Sequence, residues 1–128
     1  MVRVPVAKLL VIDDDPEVVD ILVTCLRDEG YGVLGALTSD EGLRLVILSR
    51  PDLILLDILL PGGMNGVEVL KRIRSINPTT KVIMVTGSTD VLLAHEALEL
   101  GALAYVDKPF DFAYLKRVVA MSLRPDTE

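Results

Sequence analysis

Leu53-Ile54-Leu55-Leu56 is an unbroken apolar run held between Asp52 and Asp57. A run of this length and character suits a strand covered on both faces, as in a parallel sheet with helices above and below. Asp57 follows with no polar residue between it and the core, and Pro61-Gly62-Gly63 comes just after. A carboxylate at the carboxyl end of a buried strand, beside a turn, sits where open α/β sheets place their ligands. Taken alone, Asp57 is better read as opening a turn or capping a helix. The other strand ends change that balance.

The chain on either side repeats the same alternation. Ala7 to Ile12 is an apolar run of strand length that ends in Asp13-Asp14-Asp15-Pro16. Pro16 fits a first helical position with Asp15 as N-cap, and Val18, Ile21, Leu22, Cys25 and Leu26 then recur at helical spacing up to Gly30. Tyr31 to Leu37 reads as a second strand. Thr38, Ser39 or Asp40 starts a helix with Leu43, Val46 and Ile47 on one face, closed by Arg50-Pro51. Beyond Asp57, a loop through Gly66 leads to a helix with Val69, Leu70, Ile73 and Ile76 inward, broken at Asn77-Pro78. Lys81 to Val85 is a fourth strand ending at Thr86-Gly87-Ser88. Thr89 or Asp90 caps a helix carrying Leu93, Ala97, Leu98 and Leu100, closed by Gly101. Ala102 to Val106 is a fifth strand. Phe112, Leu115, Val118, Val119 and Ser122 mark one face of a last helix. Five strands alternating with five helices through short connections predict a doubly wound five-stranded parallel sheet with helices on both faces.

With 128 residues the chain reads as one domain, its core about 7–123 and 124–128 a tail or truncated linker. A net charge of −6 without a basic run argues against direct binding of nucleic acid, which needs a positive field. Cys25 is the only cysteine, so no internal disulfide forms, and a small buried filler is its expected role. No hydrophobic run approaches membrane-spanning length and the first residues lack the apolar core of a signal peptide, which makes a cytoplasmic location the expectation.

In a parallel sheet with right-handed crossovers all strand carboxyl ends lie on one edge. There the polar residues are Asp13 and Asp14, Asp57, Thr86 and Lys108. Three carboxylates at one spot repel each other and call for a compensating cation. An oxygen-only donor set suits a hard ion such as Mg²⁺, while Lys108 adds a second positive charge and Thr86 a hydroxyl donor. The constellation suits a phosphoryl group, with a carboxylate as the in-line nucleophile. Each residue also has a plain account: solvated turn acids at Asp13 and Asp14, a helix-entry hydroxyl at Thr86, a surface lysine at Lys108. Their coincidence on one edge favours chemistry. Asp107 and His95 are expected to face solvent.

Leu9-Leu10-Val11-Ile12-Asp13-Asp14-Asp15, Asp57 followed by Pro61, Val85-Thr86-Gly87 and Tyr105-Val106-Asp107-Lys108-Pro109-Phe110 resemble the receiver domain of bacterial two-component response regulators, over roughly Ala7 to Leu123. The resemblance implies a flavodoxin-like fold with strand order 2-1-3-4-5. It implies Asp57 as phosphoacceptor. Asp14, Asp57 and the backbone carbonyl of Leu59 would bind Mg²⁺ directly, and Asp13 would help through water. Lys108 would pair with Asp57 and then with the phosphoryl oxygens, across a cis Lys108-Pro109 bond. Thr86 would move toward the phosphoryl group, with Gly87 leaving it room, and Tyr105 would turn inward, changing the surface of helix four, strand five and helix five. The implied donor is a phosphohistidine on a sensor histidine kinase that docks near the first helix and the loop after strand five. A downstream effector, transcription regulation among the outputs, and a homodimer through helix four, strand five and helix five are implied as partners. One departure stands out. The family commonly has Pro-Gly-Met-Asp-Gly after the acceptor strand, whereas Pro61-Gly62-Gly63-Met64-Asn65-Gly66 is one residue longer and carries Asn65. Leu59 and Ser88 occupy positions that bear on how fast the phosphate is lost.

Two other readings compete with a phosphorelay switch that turns over no independent small molecule. A Mg²⁺-dependent aspartyl phosphatase would usually carry a second acid two residues after the nucleophile, where this chain has Leu59. An adaptor that keeps only the fold and needs no phosphorylation would have no use for the complete acid set, Thr86 and Lys108. Nucleotide-cofactor motifs are absent after the first strand.

Overall fold

The computed structural model describes residues 6–60, 64–87 and 91–125. The strands are β1 (Lys8–Ile12), β2 (Gly32–Ala36), β3 (Leu53–Leu56), β4 (Lys81–Thr86) and β5 (Ala104–Asp107). The helices are α1 (Pro16–Asp28), α2 (Ser39–Ser49), α3 (Gly66–Ile76), α4 (Val91–Glu99) and α5 (Phe112–Ser122). All neighbouring strands pair in parallel, in the order β2-β1-β3-β4-β5. The doubly wound arrangement and the strand order both match expectation.

The period of two along each strand sorts the core into two layers. Leu10, Ile12, Ile54, Leu56, Val82 and Met84 face α2, α3 and α4, where they meet Val46, Val69, Leu70, Ile73 and Ala97. Leu9, Val11, Leu53, Leu55, Ile83 and Val85 face α1 and α5, against Leu22, Leu26, Leu115 and Val119. All four residues of β3 are buried, so this strand lies at the centre of both layers. Each fully buried Leu or Ile contributes about 1.5–3 kcal/mol through removal from water.

Helix entry follows side-chain capping. Asp15, Thr38, Asn65 and Asp111 each accept a hydrogen bond from a backbone N–H in the first turn of α1, α2, α3 and α5. Pro16 opens α1, as its fixed φ favours. Arg50, at φ 49, ends α2 in the left-handed region, and Gly30 and Gly101 take positive φ after α1 and α4.

Several boundaries shift by one or two residues. β1 begins at Lys8 rather than Ala7, β2 spans Gly32–Ala36, and β5 spans Ala104–Asp107. The expected apolar faces are too wide: Ile21, Ile47, Ile76 and Leu98 are exposed, on the margins of stripes whose centres are buried. Cys25 is half-buried, while Asp107 and His95 are exposed as expected. The expected caps Thr89 and Asp90, Ser88, and the Pro61-Gly62-Gly63 turn lie outside the described residues. Among the described residues no helix is long and apolar enough to cross a membrane.

Candidate functional site

The register explains why the acids meet. Ile12 pairs with Leu56, so Asp13 and Asp57 are the next residues of adjacent central strands. The ladder continues past the strand ends: Asp57 N–H donates to the Ile12 carbonyl at 3.0 Å, and Asp13 N–H donates to the Ala36 carbonyl at 3.1 Å. Asp13 is 2% exposed and Asp57 5%. Asp14 follows at the exposed mouth, and one carboxylate oxygen from each of Asp13, Asp14 and Asp57 lies within 4.8 Å of the others.

Lys108 arrives from the end of β5. Its own N–H donates to the Thr86 carbonyl at 3.0 Å, which ties this residue to the end of β4, and the Lys108-Pro109 bond is cis. Lys108 Nζ donates to Asp13 Oδ2 at 2.6 Å and to Asp57 Oδ2 at 3.0 Å. The resemblance implied the contact with Asp57; the shorter one with Asp13 was not expected. The second oxygens are also engaged, Asp13 Oδ1 by Asp15 N–H at 3.0 Å and Asp57 Oδ1 by Leu59 N–H at 3.1 Å. One ammonium thus serves two buried carboxylates, with a third acid beside them.

The electrostatics follow from that imbalance. Burial pushes the Asp13 carboxyl above its ordinary value. The charge of Asp57 adds to the rise, against hydrogen bonds from Lys108 and the Asp15 amide and the attraction of the ammonium. Burial alone would lower Lys108, but its bonds to Asp13 and Asp57 and their charges outweigh it, and the ammonium is held above its usual range. The site retains an excess of negative charge in a desolvated setting. Three hard oxygen donors in reach of one another fit a hard divalent cation.

The acids open onto a cleft of about 540 Å³ lined by Asp14, Asp57, Leu59, Leu60, Asn65, Thr86, Gly87 and Lys108. Thr86 is fully buried as the last residue of β4. Leu59, 53% exposed, stands at the rim. Tyr105 is half-buried and packs against the α2-α3-α4 layer of the core. The structure therefore brings Asp13, Asp14, Asp57, Thr86, Lys108 and Leu59 to one edge, with Tyr105 one strand away.

Two residues were missed. Gly66 begins α3 with its N–H on the Ile58 carbonyl at 2.6 Å, and a Cβ there would stand 2.0 Å from the Asp57 carbonyl oxygen. Only glycine lets α3 start against the backbone that carries Asp57. The Asn65-Gly66 pair held that signal. Asn65, where the common family sequence has Asp, caps α3 by accepting from the Glu68 N–H at 2.9 Å and adds no charge to the cleft it lines. Arg74, the second, lies outside the cleft; no local sequence pattern marked it.

Comparison with known proteins gives one result. The sequence model described as "Response regulator receiver domain" matches residues 9–120. The chain is 37% identical over 112 residues to sporulation initiation phosphotransferase F of Bacillus subtilis, covering 88% of this chain and 90% of that protein. It is 40% identical over 103 residues to the DNA-binding response regulator MtrA of Mycolicibacterium smegmatis, but spans only 44% of that protein's length. Among solved structures, a CheY-like response regulator receiver domain protein from Methanospirillum hungatei superposes with a TM-score of 0.89 at 34% identity, over 93% of this chain and 94% of the other.

Proposed function

The chain belongs to the receiver domains of response regulators, and on that premise we propose that it is a Mg²⁺-dependent phosphoacceptor switch with Asp57 as the acceptor. The observation that carries the reading is the shared ammonium: Lys108 lies within hydrogen-bond reach of Asp57 and Asp13 at the mouth of a cleft that also holds Thr86.

An Asp57 carboxylate oxygen attacks the phosphorus of a phosphohistidine. The phosphorus–nitrogen bond breaks and the imidazole leaves with the bonding pair, taking a proton from solvent. Lys108 and Thr86 supply positive charge and a hydroxyl donor to the phosphoryl oxygens from the cleft wall. Asp13, Asp14, Asp57 and the Leu59 carbonyl would hold Mg²⁺, which neutralises charge on the transferred group when bound. Lys108, which bonds Asp13 and Asp57 from the cleft wall, is placed to meet the phosphoryl oxygens with its ammonium. Burial of Asp57 against the core limits access of water to the acyl phosphate, and Leu59 at the rim narrows that access further. The chain supplies the chemistry of its own phosphorylation and slow dephosphorylation and turns over no separate substrate.

Thr86 and Tyr105 couple the site to the α4-β5-α5 face, which exposes Leu92, Leu103, Tyr114 and Met121. That face is the surface for an effector domain or protein, or for a second copy of the chain. The upstream partner is a sensor histidine kinase or phosphotransfer protein. A transcriptional output is one option, since MtrA is by name a DNA-binding regulator. The test is labelling by phosphoramidate, the smallest phosphorus–nitrogen donor. The expected product is one hydroxylamine-labile phosphoryl group on the peptide containing Asp57. A label on another residue, or one stable to hydroxylamine, would contradict the assignment.

A further inference from the structure

At the foot of α4, on the far side of the molecule from the acids, one side chain gathers three carbonyls from two connections. Arg74, on α3, donates through Nε to the Leu100 carbonyl at 2.9 Å, through Nη2 to the Gly101 carbonyl at 3.0 Å, and through Nη1 to the Thr80 carbonyl. Leu100 and Gly101 form the exit from α4, and Thr80 is the entry to β4. The last carbonyls of a helix lack intrahelical donors, and a cation there also meets the favourable end of the helix dipole. The last turn of α4 has no basic residue of its own, so α3 provides it. Gly101 fits the same joint: at φ +90 it disfavours any side chain, and a Cβ would stand 3.3 Å from Arg74 Nε.

Two further anchors fall on the same stretch. Lys71 on α3 pairs with Glu96 at 3.3 Å on the surface, and Ala97 of α4 is buried in the core. Immediately downstream, Leu103 N–H donates to the Val82 carbonyl at 2.8 Å and leads into β5. At the other end of the helix Leu92 is 81% exposed, and the chain before it comes from Thr86 and Gly87 at the cleft. The Arg74 and Glu96 contacts hold the carboxyl half of α4 and its exit, the end remote from the site.

We propose that Arg74 is a positioning residue that fixes the carboxyl end of α4 as a pivot, so that a change at Thr86 swings the amino end of the helix while the joint into β5 stays in place. The inference deepens the switch reading and rests on it for the motion, though not for the joint. A planar guanidinium with five donors spans three carbonyls; an ammonium cannot hold the same set.

The test compares wild type, Arg74→Met, Arg74→Lys and Arg27→Met by amide-resolved NMR on the whole chain. Arg27 is the control because its guanidinium donates two hydrogen bonds to one backbone carbonyl, that of Val33, at the opposite edge of the sheet. Without a phosphodonor, Arg74→Met should speed hydrogen exchange at Leu100 to Leu103 by about tenfold. Arg74→Lys should fall between, and Arg27→Met should leave those amides unchanged. Should Arg74→Met fail to fold, Arg74→Lys decides by the same criterion. With acetyl phosphate and Mg²⁺, amide shifts in wild type should be large at Leu92 to His95 and small at Leu100 to Ala102. In Arg74→Met they should spread along the helix while the phosphoryl adduct forms in equal yield. Unchanged exchange at Leu100 to Leu103 in the Arg74 variants overturns the pivot, as do wild-type shifts of equal size along α4. A wild-type chain that takes no phosphoryl group defeats the switch reading, and the exchange comparison then decides on the joint by itself.

Discussion

Lys108 is the residue on which the balance of the site turns. It bonds both buried carboxylates, and its raised pKa means that the folded chain holds that proton more tightly than the unfolded one. Its contribution is therefore fully present below 10.5 and is lost as pH rises through the raised value. Lys108→Met removes the counter-charge from two desolvated acids and should cost about 2 kcal/mol at neutral pH in chelator, discounted for the partial exposure of the ammonium. Denaturant melts read this directly, and an unchanged midpoint would count against the shared-ammonium account. Asp13 behaves in the opposite sense. Its carboxyl is raised above 3.8 by burial first, so stability falls as pH climbs from 3.8 through the raised value, and the full penalty stands above it. Asp13→Asn removes that penalty. In chelator its melting point should exceed that of wild type by a margin that widens as pH climbs from 3.8 through the raised value. A margin that shrinks over the same range would mean that Lys108 outweighs desolvation at Asp13.

At the scale of elements, the start of α3 sets the position of Asp57. Gly66→Ala places a methyl against the Asp57 carbonyl and Ile58 Cα, where backbone rather than a flexible side chain must give way. It should cost about 2 kcal/mol and slow phosphoryl labelling, read by thermal melts and by adduct yield. Asn65→Ala removes the α3 cap and should cost about 1 kcal/mol. Asn65→Asp should keep the cap, so a stability equal to wild type is its expected result. These two positions show what was legible in the sequence and what was not. Strand ends were readable because parallel strands align their carboxyl termini, so Asp13, Asp14, Asp57, Thr86 and Lys108 could be placed on one edge from order alone. Helix faces were readable at their centres, as at Leu22, Val46 and Ile73, but not at their margins. Periodicity marks a stripe, and the neighbour decides its width, so Ile21, Ile47 and Ile76 came out exposed. Contacts set by a long side chain or by an absent one were not readable. Arg74 reaches from α3 to carbonyls 26 and 27 residues on, and Gly66 matters through an atom it lacks.

At the scale of the whole molecule, the proposed switch links the acid edge of the sheet to its α4-β5-α5 side. The carboxyl edge gathers three acids in a chain of net charge −6, with Lys108 as the counter-charge bonded to two of them. The α4-β5-α5 side exposes Leu92, Leu103, Tyr114 and Met121, the surface proposed to pass a change on. The chain spans 90% of sporulation initiation phosphotransferase F but under half of MtrA, so its architecture suits both a stand-alone phosphotransfer component and the receiver portion of a longer regulator. In either setting the same chemistry has to occur first. Intact-mass measurement after incubation with acetyl phosphate, with and without Mg²⁺, beside Asp57→Asn, tests it most directly. The account predicts one phosphoryl adduct on wild type, dependent on Mg²⁺ and absent from a folded Asp57→Asn variant. An adduct of equal yield on Asp57→Asn would contradict Asp57 as the acceptor. No adduct on wild type under any condition would contradict the switch itself and favour a binding module that keeps only the fold.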